Sequence, residues 1–412
     1  MHELTYKHTV AACYLGYITQ AAVVNLSPIL FIVYQAQFGI SYEMIGRLIL
    51  INFVTQLLTD IVAVRYIDRI GIRPAAVAGH AIVVAGFILM ALLPRVLPSP
   101  YAGLVIADVV YAIGGGLIEL LISPTVDALP GKAKDSAMSL LHSFYSWGQV
   151  AVLLLSTLFV RAFGAVNWPL LPLLWALVPA YNAVLFSRVP LAPTVAAHEK
   201  TPLRLLFGAP IFILAMFLMV CAGASEQAIA QWSSLFAEKG LGITKLVGDL
   251  LGPVMFAAFM GLGRVGYGIW GERMNLRIAL TASALLAIVC YGVTVFAPSP
   301  FIALVGVAVS GLAVAVMWPG MLRLASKNYP MGGTAMFGVL AIAGDAGCAL
   351  GPWLTGLVSD LAPASAQLQR MAANNGDTIE QLGLKAGILA AIIFPVAMLL
   401  GVIAFRRHTH RA

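Results

Sequence analysis

Charge is scarce in this sequence. Of 412 residues only 10% are Asp, Glu, Lys or Arg, while 61% are hydrophobic. Soluble domains carry about 25% charged residues. A chain this apolar cannot hide its surface from water, so lipid is the expected solvent for most of it. Cysteine is scarce too. Cys13, Cys221, Cys290 and Cys348 each lie in an apolar run without metal-ligand spacing. That excludes a zinc site and reads as small packing residues rather than disulfides. No GxxxxGK[ST] loop occurs, which leaves ATP-driven pumping by this chain unsupported. No polar stretch is long enough to form a soluble catalytic domain, so neither an enzyme, a cofactor nor a resident metal is expected. The apolar region from Thr9 onward is too long for a cleavable signal peptide. The net charge of +7 reads as membrane topology, not nucleic-acid binding.

What is present is hydrophobic length. A membrane span needs about 20 apolar residues. Twelve stretches qualify, at roughly 9–36, 43–66, 75–95, 101–125, 137–163, 168–187, 209–236, 246–270, 278–297, 300–325, 334–360 and 385–405. Between the sixth and seventh runs "SRVPLAPTVAAHEKTPLR", charged and proline-rich. It predicts a bundle over 1–190, a cytoplasmic linker over 191–204 and a second bundle over 205–412. With both termini in the cytoplasm, 17 of the 24 Lys and Arg fall on that side, Arg264 among them. This bias orients the chain.

The halves repeat. "DRIGIR" at Asp68–Arg73 matches "ERMNLR" at Glu272–Arg277, and "GLIELLISP" from Gly116 matches "GLAVAVMWP" from Gly311. "GYITQAA" in span one aligns with "GASEQAI" in span seven, and "SAMSLLH" with "TAMFGVL". The offsets are nearly constant and in chain order, which argues for duplication. Two parallel six-span repeats are a transporter plan, with the solute handled near the bilayer midplane where the repeats meet. The expected fold is an all-α membrane protein of twelve transmembrane helices in two pseudo-symmetric six-helix bundles.

At these residues the chain resembles the major facilitator superfamily. "DRIGIR" and "GYGIWGERMNLR" are similar to that family's Gly-x-x-x-Asp-Arg-x-Gly-x-Arg segment after spans two and eight. Val64 stands where the first glycine is usual, whereas Gly268 keeps it in the second copy. The resemblance implies that Asp68, Arg69 and Arg73, with Glu272, Arg273 and Arg277, act as cytoplasmic gating clusters. They also serve as positive-inside anchors. Within the superfamily the chain resembles the fucose–galactose–glucose:proton symporters. "GGGLIELLISP" carries a membrane-embedded Glu119 and Pro124, with Ser123 in place of that branch's Asn. "LLHSFYSWGQ" matches through His142, Phe144 and Gly148. That branch uses an acid in span one, where this chain has Thr19, Gln20 and Asn25.

Glu119 lies past the midpoint of span four, in the inner half of the membrane. A charge at the centre of a spanning helix costs about 3 kcal/mol. A carboxyl that is neutral when occluded and ionised when wet is what a proton-coupled carrier needs. Its repeat mate is Val314, so packing does not demand an acid there. His142, Glu226 and Asp345 are the other proton-coupling candidates. Gln227 and Gln231 are one turn apart and share a face. With Trp232 they resemble a polyol site, amides for hydroxyls and an indole for the sugar's apolar face. Interhelical amide bonding is the plain alternative. Gln20, the repeat mate of Gln227, joins Asn25, Tyr145 and Trp318 as further binding candidates; Trp147 is another aromatic in the same run. Asp60, Asp108 and Asp249 also lie in or near spans, Asp60 suited to a paired role.

The expected function is secondary active transport of a small polar solute, a sugar, by proton-coupled alternating access, the two bundles rocking against each other. The alternative is a proton antiporter exporting amphipathic, drug-like compounds. The partners are the solute, protons (with sodium open) and the lipid bilayer, without nucleic acid. A monomer in a plasma or inner membrane is expected.

Overall fold

The structure is a computed structural model that describes residues 4–130, 133–192, 206–271, 273–328, 333–376 and 378–409. Among these residues every regular element is helical. The first half runs α1 (Tyr6–Ile29), α2 (Phe31–Phe38), α3 (Tyr42–Ile70), α4 (Ile72–Val96), α5 (Pro100–Asp127), α6 (Ala133–Phe163), α7 (Leu170–Trp175) and α8 (Leu177–Arg188). The second runs α9 (Pro210–Leu235), α10 (Lys245–Asp249), α11 (Met255–Trp270), α12 (Leu276–Phe296), α13 (Pro300–Val314), α14 (Met317–Asn328), α15 (Gly333–Leu361), α16 (Ala366–Asn375), α17 (Ile379–Ala390) and α18 (Ile393–Thr409). Eleven described stretches are long and apolar enough to cross a membrane. The remaining expected span, 334–360, is the single helix α15.

Sequence explains where these helices start. α5 and α13 both open on Pro-Ser-Pro. Ser99 accepts from the Ala102 amide and Ser299 from the Ile302 amide, each with proline at the first helical position. That satisfies one orphan donor at a membrane boundary while proline removes another. α12 opens on Asn275, whose side chain accepts from the Arg277 and Ile278 amides. Its repeat mate is Gly71, at φ +88, before α4. The same boundary is thus made by a capping side chain in one half and a left-handed glycine in the other.

The described residues group into two compact units. One holds Met1–Ile40 with Ile51–Ala196, the other Ser41–Leu50 with Ala197–Ala412. The first turns of α3 therefore count with the second unit, where Asp360 accepts from the Glu43 amide at 2.6 Å and Tyr42 donates to Glu380. Most of the expected linker 191–204 lies outside the described residues. Within the first unit α4 lies along α5 and α1 along α6; within the second, their repeat mates α12 and α13, and α9 and α15, pair in the same way. Among those eleven stretches, spans one and seven are the most enclosed, 72% and 67% buried, and spans six and twelve the least, both 39%. Large apolar side chains face outward at helical spacing: Leu58, Ile61 and Val62 on α3, Leu177, Tyr181 and Val184 on α8, Ile278, Leu285 and Val289 on α12. Polar side chains lie inside instead, including Gln20, Asn52, Gln56, Asp60, Glu226 and Asp345. A protein apolar outside and polar within is built for lipid. Helices there associate through close packing and interhelical hydrogen bonds, since lipid tails are as apolar as leucine.

Candidate functional site

In the first unit a connected strip of buried polar groups joins α1, α3 and α5. α1 carries Tyr14, Tyr17 and Gln20 at three-residue spacing, hence on one face. Gln20 Nε2 donates to Glu119 Oε2 on α5 at 2.6 Å and to Gln56 Oε1 on α3 at 2.5 Å. Gln56 Nε2 donates to Asn52 Oδ1 at 2.6 Å, and Asn52 Nδ2 to Asp108 Oδ1 at 2.9 Å. Two carboxyl groups on α5 are therefore linked through three neutral amides. The glycine run "GGG" makes the approach possible. A Cβ on Gly115 would stand 2.9 Å from Gln20 Oε1, and one on Gly116 would stand 3.2 Å from Asp60 Oδ1. Side chains of α1 and α3 thus reach the backbone of α5.

Aromatic rings line the same face of α1. Tyr17 Oη lies 3.3 Å from Ser123 Oγ, and its ring lies 5.8 Å from His142 and 6.4 Å, edge-on, from Tyr145. His142 and Tyr145 are half-buried. Asn25 accepts from Gln149 Nε2 at 3.0 Å and donates to the Ala21 carbonyl. It is buried between α1 and α6 and tied to both. Trp147 is exposed on the apolar surface of α6.

In the second unit the corresponding face of α9 is arranged differently. Glu226 Oε2 is ion-paired with Arg264 Nη2 of α11 at 2.9 Å, Glu226 buried and Arg264 nearly so. Arg264, counted in the sequence among cytoplasmic-side cations, is thus turned inward to a carboxylate. Gln227 Nε2 donates to Glu226 Oε1 at 3.3 Å, and Gln231 Nε2 to Gln227 Oε1 at 2.9 Å. The two amides do share a face, bonded to each other along the helix. Trp232 is fully buried, its Nε1 donating to the Pro352 carbonyl at 3.0 Å and its ring 6.0 Å from Tyr42. Its faces are therefore covered by protein. Asp345 is buried on α15 beside Gly344, and the Trp318 ring lies directly against Gly344. Asp249 pairs with Lys245 at 3.1 Å and accepts from Ser234.

Three of the expected gating residues, Arg73, Arg273 and Arg277, have described side chains. Arg73 donates to the carbonyls of Phe186, Ser187 and Val189 at 2.8 to 3.0 Å. It caps the C-terminal end of α8, where helix carbonyls lack partners and a cation is favoured. Arg273 is exposed and Arg277 half-buried in the first turn of α12. The side chains of Asp68 and Arg69, and the whole of Glu272, lie outside the described residues.

Sequence reading missed Asn52 and Gln56. The signal was present: Asn52, Gln56 and Asp60 recur every four residues in an apolar helix, which is one polar stripe. It also missed Arg264 as the partner of Glu226, because the pair is 38 residues apart.

The sequence matches the profile of the Major Facilitator Superfamily over residues 12–352. The chain belongs to the Major Facilitator Superfamily. No curated protein sequence matches it. Among solved structures, the inward-facing, occupied form of a bacterial homologue of the human lysosomal transporter Spinster aligns with TM-score 0.73 and 16% identity, over 99% of this chain and 98% of that one. A D-xylose–proton symporter aligns with TM-score 0.73 and 14% identity, over 95% and 97%. The E. coli fucose:proton symporter aligns with TM-score 0.65 and 13% identity, over 96% and 98%. At such identities the likeness is one of fold. The chain is an integral membrane transporter with the major facilitator fold, not an enzyme.

Proposed function

We propose that this major facilitator protein is a proton-coupled symporter that carries a sugar or similar small polar solute by alternating access between its halves, 1–190 and 205–412. The observation that carries the reading is Glu119, embedded in a spanning helix and held by the Gln20 amide within a chain of amides and carboxyls. Ionised, such a group is costly in lipid; protonated, it is not. The cost ties its protonation to whether the site is wet or occluded. Glu119 is assigned the coupling proton, with His142, Glu226 and Asp345 as supporting proton-coupling groups. Gln20, Asn25, Tyr145, Gln227, Gln231, Trp232 and Trp318 are assigned to solute binding or to shaping that site. The xylose and fucose proteins of like fold are proton symporters by their names, which supports this substrate class. Both termini are assigned to the cytoplasm of a plasma or inner membrane, and the protein to a monomer.

The test is proton flux in proteoliposomes carrying a lumenal pH dye, offered hexoses, deoxyhexoses and polyols. Wild type is expected to acidify on adding its solute. Glu119→Gln is expected to lose acidification and keep solute exchange. Equal acidification in both would remove Glu119 from the mechanism. Silence toward every sugar in folded protein would overturn the sugar reading.

A further inference from the structure

Asp60 has no part in the function so far, yet it lies beside Glu119. It sits one turn beyond Gln56 on α3 and is 5% exposed. Its Oδ1 has no hydrogen-bond partner and lies against Gly116, three residues before Glu119 on the same face of α5. It is within electrostatic reach of Glu119. A second orphan lies next to it in the helix register. Gln20 is 2% exposed, and its Oε1 has no partner and faces Gly115. The amide orientation is not arbitrary, because the Gln20 nitrogen reaches two acceptors, Gln56 Oε1 and Glu119 Oε2.

Two buried acceptor oxygens therefore face adjacent glycines without a donor. Buried acceptors are normally satisfied, and a carboxylate more so than most. Among the described residues the charged side chain acting on Asp60 is Glu119 from α5, and neutral Gln56 lies one turn before it on α3. Asp108 lies at the far end of the strip, bound to Asn52. Two like charges this close in lipid repel strongly. One small cation held by the two carboxyls would relieve the repulsion and give the Asp60 orphan a partner.

We infer that Asp60 and Glu119, with the side-chain oxygens of Gln20 and Gln56, form one monovalent-cation site, and that Asp60 is its second acid. The inference deepens the coupling reading and rests on it for Glu119. Hard oxygen ligands suit a proton shared between the carboxyls, and equally a sodium ion. The protein would exchange that cation once per transport cycle.

The experiment uses the full-length protein in proteoliposomes with the same solute panel, driven in one arm by a pH step and in the other by a sodium step. A one-unit pH gradient supports about tenfold accumulation in a one-to-one symporter. Asp60→Asn is expected to drop accumulation to about equilibrium, onefold, with solute counterflow intact; a purely structural role would lower both. Asp60→Glu is expected to restore part of the accumulation. Accumulation by Asp60→Asn at the wild-type level in both arms overturns the inference. A wild type driven by sodium alone would overturn the proton reading, while loss of that drive in Asp60→Asn would uphold the cation site. A second measurement needs neither solute nor mutant. A hydrophobic carbodiimide, which adds to protonated carboxyls in lipid, is expected to label Asp60 in wild type, with labelling suppressed by alkaline pH or sodium. Absence of label at Asp60 overturns the inference.

Discussion

The two halves share a backbone plan but spend their buried charge differently. Gln20 and Gln227 are repeat mates on the most enclosed helix of each unit. Gln20 reaches across to two other helices and joins a carboxyl to a run of amides. Gln227 bonds along its own helix, to the Glu226 and Gln231 side chains, and the charge of Glu226 is answered by Arg264. Duplication preserved helix order, pairing and the serine caps of α5 and α13, and left the polar interior free to diverge. One half became an acid-and-amide strip, the other an ion-paired cluster. A carboxylate bound to a fixed cation takes up a proton only by giving up a salt bridge, whereas a carboxyl bound to a neutral amide can gain and lose a proton without breaking one. That contrast is why the coupling proton itself is assigned to Glu119 in the first half, with the second-half acids in a supporting role.

The contrast breaks most visibly at the ion pair. Arg264→Leu leaves Glu226 buried without its cation and is expected to destabilise the protein by about 3–5 kcal/mol. Adding Glu226→Gln in the same chain should recover much of the loss, both read by unfolding of purified protein in detergent. If the single variant is as stable as wild type, the second half is not ion-locked and the comparison fails. A smaller effect is expected at Gln20. Gln20→Leu removes the amide donor shared by Gln56 and Glu119, at a cost of about 1–3 kcal/mol, and should also weaken solute-driven acidification. The smallest is expected at Gln231. Gln231→Leu removes an along-helix contact worth about 0.6 kcal/mol in a membrane interior. A loss at Gln231 equal to that at Gln20 would mean the two amides hold their helices in the same way.

Some of the site was legible beforehand. Glu119 stands out because an acid in an apolar run is rare, and its glycine neighbours stand out with it. The stripe Asn52, Gln56 and Asp60 was legible but unread: its members are spaced as one helix face, and only the partner helix reveals why. Trp232 read as a sugar-stacking ring from its nearness to Gln227 and Gln231. Its indole bonds the Pro352 carbonyl, 120 residues away, a partner that local spacing does not show. Arg264 read as a topology charge for the same reason. Arg73 read as part of a gate, and the structure finds it closing the end of α8.

Sequence alone determined the solvent, the span count, the duplication and the helix starts. Each follows from local composition: apolar length, proline and serine at boundaries, and periodic recurrence. Tertiary structure decided which polar groups meet. In lipid a buried donor or acceptor has no water to fall back on, so its role is set by whichever side chain lies opposite on another helix. That pairing depends on how helices distant in sequence cross, and here the glycines at 115 and 116 let α5 receive Gln20, Gln56 and Asp60 at its backbone.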